Sequence, residues 1–395
     1  MGEITLESVF EAYYDCRRHK RRTANQAVFE LDYEDNLVEL WRDINERRYE
    51  IGKSICFAVT RPKLREVFAA DFRDRVVHHI VMQRLEPLME EVFIEDNYNC
   101  RVGKGVLYGV NRLHERIRSV SENYTKDCWI GKFDMKGFFM SIDKDILWEK
   151  LKVFIEERYN ADDKDIVLYL TEKIVFNEPQ NNCIVKGDKE LLSQLPANKS
   201  LFTCGKNKGL PIGNLTSQIF ANFYLHEFDV AMQERYTDYG RYVDDFWVLS
   251  ICKENILEAR QFAERYLKES LCVELNRNKV YVQPYWHGVK FIGTMLKLDR
   301  KYISNRTIDS IFEKAKHLSD LYNAMCVVNS YFGFMRHCNS YGIRRRLAKA
   351  LPQWIWKSVY IQGRFLYVKQ IKRKVICTSK TTNTTQTQVS TSRVV

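Results

Sequence analysis

The chain has 395 residues with 45% hydrophobic and 13% aromatic content, enough to bury a large core in one multi-lobed unit or two domains, which excludes disorder for most of its length. A formal charge of +11 points to a polyanionic partner. Eleven cysteines without a C-x-x-C pair or zinc spacing read as reduced thiols of a cytosolic protein, and neither a signal h-region nor a membrane-spanning apolar run is expected.

Residues 1–50 predict two helices, with Leu31, Leu37, Leu40 and Trp41 at helical spacing and the basic run Arg17 to Arg22 following the first. Pro62 marks a loop or strand entry, and a long helical pattern runs from Asp71 through Leu88. The loop Asn97 to Gly105 is punctuated by glycines that let backbone amides approach phosphate, and it leads into a helix from about Val110 to Ser121. Asp134 ends a strand before a helix opened by Asp143. Residues 148–208 insert two helical stretches and a polar loop. Gln218 to Tyr236 is helical, with Phe220, Phe223, Tyr224 and Phe228 as its packed face. Gly240 to Leu249 reads as a β-hairpin with Asp244 and Asp245 at its tight turn. An amphipathic helix over Ile256 to Ser270 and a strand pair over Gly288 to Leu296 follow. From Asn305 to Leu351 the chain is helical and basic, with Arg344-Arg345-Arg346 among its clusters, and Trp354, Trp356, Tyr360, Phe365 and Tyr367 are expected to close its core. Thr378 to Val395 is acid-free and rich in Thr and Ser, the pattern of a disordered tail.

Adjacent carboxylates in a buried hairpin repel each other and are costly to desolvate, so Asp244-Asp245 predicts either a cation that offsets both charges or an exposed Asp-Asp turn. Oxygen-only ligands suit Mg²⁺. Pairing of the Asp134 strand with the hairpin would bring Asp134 to Asp244 and form a two-Mg²⁺ clamp for displacement at phosphorus, with Asp245 as the supporting carboxylate.

These segments resemble motifs A and C of reverse transcriptases, and Gly209-Leu210-Pro211-Ile212-Gly213-Asn214-Leu215-Thr216-Ser217-Gln218 resembles motif B. Its Ile212 and Gln218, where most reverse transcriptases have Gln and Pro, are similar to the enzymes of diversity-generating retroelements, relatives of the group II intron and retron enzymes. The resemblance covers residues 50 to 300 motif by motif. It implies an α+β right-hand polymerase fold: an N-terminal helical extension at 1–50, fingers and palm at 51–298 with the insertion at 148–208, a helical thumb at 299–376, and the tail at 377–395. It implies an RNA-directed DNA polymerase that makes error-prone, adenine-mutagenic cDNA. Its partners would be a template RNA, the RNA/cDNA duplex, dNTPs and a small basic barrel-shaped accessory protein, in a prokaryotic or phage-encoded cytoplasmic setting. No nuclease module is expected after the thumb.

By the same resemblance Lys63 and Arg65 would touch the triphosphate, Arg73 would lie near the nascent base pair, and Arg101 would contact the template. Lys279 would serve as an acid for pyrophosphate and Phe139 as the steric gate, while Ile212, Gly213 and Gln218 would line the nucleotide site. Plainer alternatives stand beside each. Lys63, Arg65 and Arg73 could pair with Glu66 and Asp74 on a helix surface, Lys279 could be an exposed strand-end lysine, Phe139 a core residue beside Phe138, and Ile212 a loop anchor. Another prokaryotic reverse transcriptase, of the intron, retron or phage-defence type, is the rival enzymatic reading. A non-catalytic, maturase-like RNA-binding protein is the rival from another class.

Overall fold

The computed structural model describes residues 2–18, 23–60 and 63–371, so most of the first basic run (19–22), the loop position of Pro62 and all of the Thr-rich tail lie outside the described residues. The fold is α+β and divides into two compact units, Met1–Arg300 and Lys301–Val395. Among the described residues no helix is long and apolar enough to cross a membrane.

In chain order the strands of the first unit are β1 (Ser54–Val59), β2 (Arg65–Ala69), β3 (Trp129–Asp134), β4 (Cys183–Val185), β5 (Tyr239–Tyr242), β6 (Asp245–Ser250), β7 (Tyr281–Pro284), β8 (Val289–Phe291) and β9 (Thr294–Lys297). The principal sheet has the order β5-β6-β3-β7, antiparallel throughout. A smaller sheet has the order β2-β1-β4, with β1 antiparallel to β2 and parallel to β4. β8 and β9 form the expected hairpin.

β6 shows why its sequence reads as a continuous apolar run. Phe246 and Val248 point to a core shared with Ile256 of the helix Lys253–Leu271, whereas Trp247 and Leu249 point to a second core with Val110, Leu113 and Ile117 of the helix Val106–Val120. A strand covered by helices on both faces needs apolar residues at every position. At Gly131 of β3 an added Cβ would come within 2.6 Å of the Phe133 ring and collide with Ile256, so only glycine lets the covering helix lie this close.

Several expectations need correction. Residues 1–50 form three helices, Leu6–Arg17, Ala24–Phe29 and Tyr33–Asn45, because Thr23 supplies an extra N-cap by accepting from the Gln26 amide. The helical stretch after Gly213 breaks at Leu225 into Leu215–Tyr224 and His226–Arg235. The 148–208 region contributes β4 as well as helices, and the helix expected from Val110 starts at Val106. The Asp71–Leu88 pattern is the helix Phe72–Val92, capped by Asp71, and Asp143 caps Lys144–Arg158 as expected.

The second unit opens through β10 (Arg300–Ile303) and contains the helices Asn305–Lys316, Leu321–Met335 and Tyr341–Ala350, then the hairpin β11 (Val359–Gln362) and β12 (Tyr367–Gln370). Its core is Ile311, Val328, Phe332, Met335, Leu347, Ile355, Val359 and Val368. Trp356 and Phe365 pack against this core, but Trp354, Tyr360 and Tyr367, expected inside, are 38%, 47% and 38% exposed. The hairpin register turns Val359 and Val368 inward, and period-2 alternation then sends the tyrosines outward.

Candidate active site

Strand register builds the acidic corner. Asp134 lies directly opposite Asp245, and the Met135 amide donates to the Asp244 carbonyl at 3.0 Å. Residues opposite each other in an antiparallel pair share a face, so two carboxylates meet at the end of the sheet, where like charges are unfavourable. The turn itself is Val243-Asp244, with Asp245 already the first residue of β6, so only one of the two acids sits in the turn. Val243 has φ +59°, a strained region for a β-branched residue. Its carbonyl accepts from Arg241 Nη1 at 2.8 Å. Arg241 is completely buried and pairs with Asp229, which also accepts from the Tyr239 hydroxyl at 2.6 Å. A buried ion pair thus braces the acidic turn.

The acids are unequally compensated. Burial raises the Asp244 carboxyl to about 6, with repulsion from Asp245 and Asp134 adding to it. Burial also raises Asp245, against the opposing pull of Lys132, whose Nζ lies 3.1 Å from Asp245 Oδ1. Lys279 Nζ donates to both oxygens of Asp134 at 2.7 Å, and Asn276 Nδ2 donates to Oδ1 at 3.1 Å. These lysines turn Asp134 and Asp245 toward themselves, and among the described residues no three His, Cys, Asp or Glu side chains converge as a ready metal cage. The donor set still fits a divalent ion. It is oxygen-only, crowded with negative charge and partly neutralised by Lys279, whose side chain is 48% exposed and has room to move aside.

Beside this corner the Gly209–Gln218 loop is laced to its neighbours. Gly209 and Leu210 amides donate to the carbonyls of Ile142 and Phe139, the Phe68 amide donates to the Ile212 carbonyl at 2.9 Å, and Asn214 Oδ1 accepts from the Ala70 amide. Gly213 has φ +129°, and a Cβ there would lie 2.8 Å from Val67 Cγ1 and 3.0 Å from the Phe68 carbonyl. Phe138 is 2% exposed in the main core, whereas Phe139 is only partly buried. Phe139 and Ile212 pack together against Cys56, Phe68, Met140 and Leu201. Gln218 is exposed and accepts from the Cys100 thiol.

The remaining cationic candidates divide. Lys63 and Arg65 are exposed around the β1–β2 connection. Arg73 is tied by Nη2 to Asp43 at 2.5 Å and lies over the Tyr49 ring. Arg101, with a side chain 6% exposed, is committed to Glu90 and to the carbonyls of Ile94 and Asn97. Neither Glu66 nor Asp74 serves as the surface partner proposed for these cations. Glu66 is buried, accepting from Ser200 and the Leu201 amide, and Asp74 accepts from the Tyr49 hydroxyl at 2.7 Å and the Gly52 amide at 3.0 Å. Lys132, Asn276 and the Asp229–Arg241 pair escaped sequence reasoning. Lys132 had a signal, since two residues before Asp134 on one strand means the same face.

Comparison with known proteins gives three kinds of likeness. Protein YkfC of Escherichia coli K12 is 22% identical over 315 residues, covering 71% of this chain and 74% of that protein. Nuclear intron maturase 1, mitochondrial, of Arabidopsis thaliana is 25% identical over 103 residues, 25% of this chain and 14% of the maturase. Among solved structures, telomerase from Candida albicans, in complex with a fragment of telomeric RNA, aligns over 82% of this chain at 12% identity with a TM-score of 0.47. Apo telomerase from Candida tropicalis aligns over 76% at 13% identity with a TM-score of 0.48. The chain spans 58% and 55% of the length of those two structures. Residues 60–296, which carry the acidic corner and the Gly209–Gln218 loop, match the family described as reverse transcriptase (RNA-dependent DNA polymerase), and the chain belongs to that family.

Proposed function

We propose that this chain copies RNA into DNA, with Asp134, Asp244 and Asp245 as its catalytic carboxylates and two Mg²⁺ as its cofactors. In this reading residues 51–298 are fingers and palm, 148–208 their insertion, 299–376 the thumb, and 1–50 and 377–395 the flanking extension and tail. The observation that carries it is the register setting Asp134 opposite Asp245 with Asp244 at the adjoining turn. When bound, the ions supply Lewis-acid chemistry at the phosphoryl group and neutralise charge on the departing pyrophosphate. Asp134 and Asp244 would hold them, with Asp245 kept in place by Lys132. Lys279 would leave Asp134 and give its Nζ proton to pyrophosphate. Phe139, packed on the same cluster as Ile212, would close the space that a ribose 2′-hydroxyl needs. Lys63 and Arg65 would meet the triphosphate, and Gly213 and Gln218 would flank the nucleotide. Arg73 and Arg101, already bonded within the protein, would act by fixing the elements around the nascent pair and the template. Primer extension on an RNA template with Mg²⁺ and dNTPs tests this. The parent should extend and Asp134→Ala should not; extension by the variant within about tenfold of the parent sinks the assignment.

The finer reading is a reverse transcriptase of a diversity-generating retroelement, error-prone opposite template adenine, cytoplasmic in a prokaryote and assisted by a small basic barrel-shaped protein. It is supported by the Gly209–Gln218 string, above all Ile212 and Gln218. Sequencing cDNA made from one RNA template should find errors concentrated opposite adenine. An even error spectrum would leave the intron, retron or phage-defence type in its place.

A further inference from the structure

The second unit displays an exposed aromatic surface on its terminal hairpin. In the β11–β12 hairpin, Tyr360 lies opposite Lys369 and Gln362 opposite Tyr367, so these four side chains share the face turned away from the core. Tyr360 and Tyr367 are 47% and 38% exposed. Lys369 Nζ lies 5.4 Å from the centre of the Tyr367 ring. Diagonal neighbours on one face of an antiparallel pair are about 7–8 Å apart, which suits two rings receiving two bases.

The helix Tyr341–Ala350 is tied to this hairpin. Arg344 Nη1 donates to the carbonyls of Arg364 and Phe365 at its turn, and Tyr341 packs edge-on against Phe365. The same helix lines a cleft of about 640 Å³ with Arg345, Arg346 and Lys349, closed by Tyr302 and Asn339. No Asp or Glu follows Asp320 in the chain, while eight Lys or Arg lie between residues 321 and 371. Exposed rings invite π-faces, and a stretch of chain that carries basic residues and no acid invites phosphates. A duplex offers phosphates but hides the faces of its bases, so the combination matches a single strand.

We propose that this hairpin face and the cleft tied to it bind single-stranded RNA, with bases stacked on Tyr360 and Tyr367 and backbone phosphates along Arg345, Arg346 and Lys349. That the strand is RNA rests on the proposed copying of an RNA template.

The test is fluorescence anisotropy of the full chain with a labelled unstructured RNA of about twelve nucleotides and with a blunt RNA/DNA duplex of equal length. Tyr360→Ala with Tyr367→Ala should weaken single-strand binding at least about tenfold while leaving duplex binding nearly unchanged. Replacing both by Phe should retain binding, because stacking needs the ring and not the hydroxyl. Substituting Ala for Arg345, Arg346 and Lys349 should flatten the salt dependence for the single strand. Single-strand binding by the double Ala variant within about twofold of the parent would overturn the proposal, as would equal losses for strand and duplex, or tighter binding of single-stranded DNA than of RNA. Because the assay reads binding, a chain that showed the expected pattern yet extended no primer would defeat the polymerase reading and uphold this surface.

Discussion

Two groups of carboxylates, close in the sequence, solve opposite problems. Asp229 is fully buried and fully answered: Arg241 Nε and Nη2 reach it at 2.6 and 2.5 Å, and the Tyr239 hydroxyl at 2.6 Å. Asp244 sits beside two other acids, and its carboxyl is pushed up to about 6. The first group holds backbone in place, bracing the carbonyl of strained Val243, whereas the second leaves negative charge in excess where the chain presents it. A satisfied acid makes structure, and an unsatisfied one is available for a cation.

Substitution separates the two roles most sharply. Asp244→Asn should lower primer extension by at least two to three orders of magnitude, since a group acting only on the transition state is lost. Its stability in the absence of divalent ions should rise by about 2–3 kcal/mol. The sign follows from the raised carboxyl, which favours the fold while protonated and loses that contribution as pH climbs through about 6, so a permanently neutral side chain keeps it at pH 7. Urea denaturation with a chelator present checks this, and a destabilised variant would break the contrast.

Asp229→Ala should behave in the opposite way, unfolding more easily by about 3–5 kcal/mol because Arg241 is left buried without a counter-charge. Thermal and urea unfolding read it directly. A loss below about 1 kcal/mol would mean that water or another group answers Arg241 and that the brace is weak.

Asp74 offers a third, intermediate case, a buried acid bonded to neutral donors, and burial raises it to about 6 as well. Here too the contribution is present below about pH 4 and fades as pH rises through about 6, so stability should fall by about 2–3 kcal/mol over that window. Asp74→Asn should lose most of this slope, and equal slopes in parent and variant would contradict the assignment.

The smallest effect belongs to Ile212→Gln. Restoring one hydrogen-bonding side chain at the nucleotide is worth on the order of 1 kcal/mol, so errors in sequenced cDNA should fall only several-fold. No change at all would reduce Ile212 to a packing residue on the cluster of Cys56, Phe68, Met140 and Leu201.

Legibility in the sequence followed the range of the interaction. Asp134, Asp244 and Asp245 were readable because strand periodicity and adjacent like charges are local patterns, as were the Asp71 and Asp143 caps. Phe138 and Phe139 could be separated only by family position, since two neighbouring rings carry no mark of which faces inward. The Arg241–Asp229 pair was hidden because its partners come from a helix and a strand whose packing no spacing records. β4 was hidden because three residues in a polar stretch make no pattern. The outward tyrosines of the terminal hairpin were misread for a related reason. Aromatic character signals burial on average, but register alone decides the face.

The parallel pairing of β1 with β4 carries a consequence for synthesis of the chain. Ser54 meets Cys183, and Cys56 meets Val185, across about 130 intervening residues. At about 5–20 residues per second, the hairpin β1–β2 leaves the ribosome on the order of ten seconds before its third strand exists. During that interval the far edge of β1 offers unpaired amides and carbonyls to any passing strand. Chaperone occupancy on nascent chains should therefore peak before residue 185 emerges and fall once β4 closes that edge.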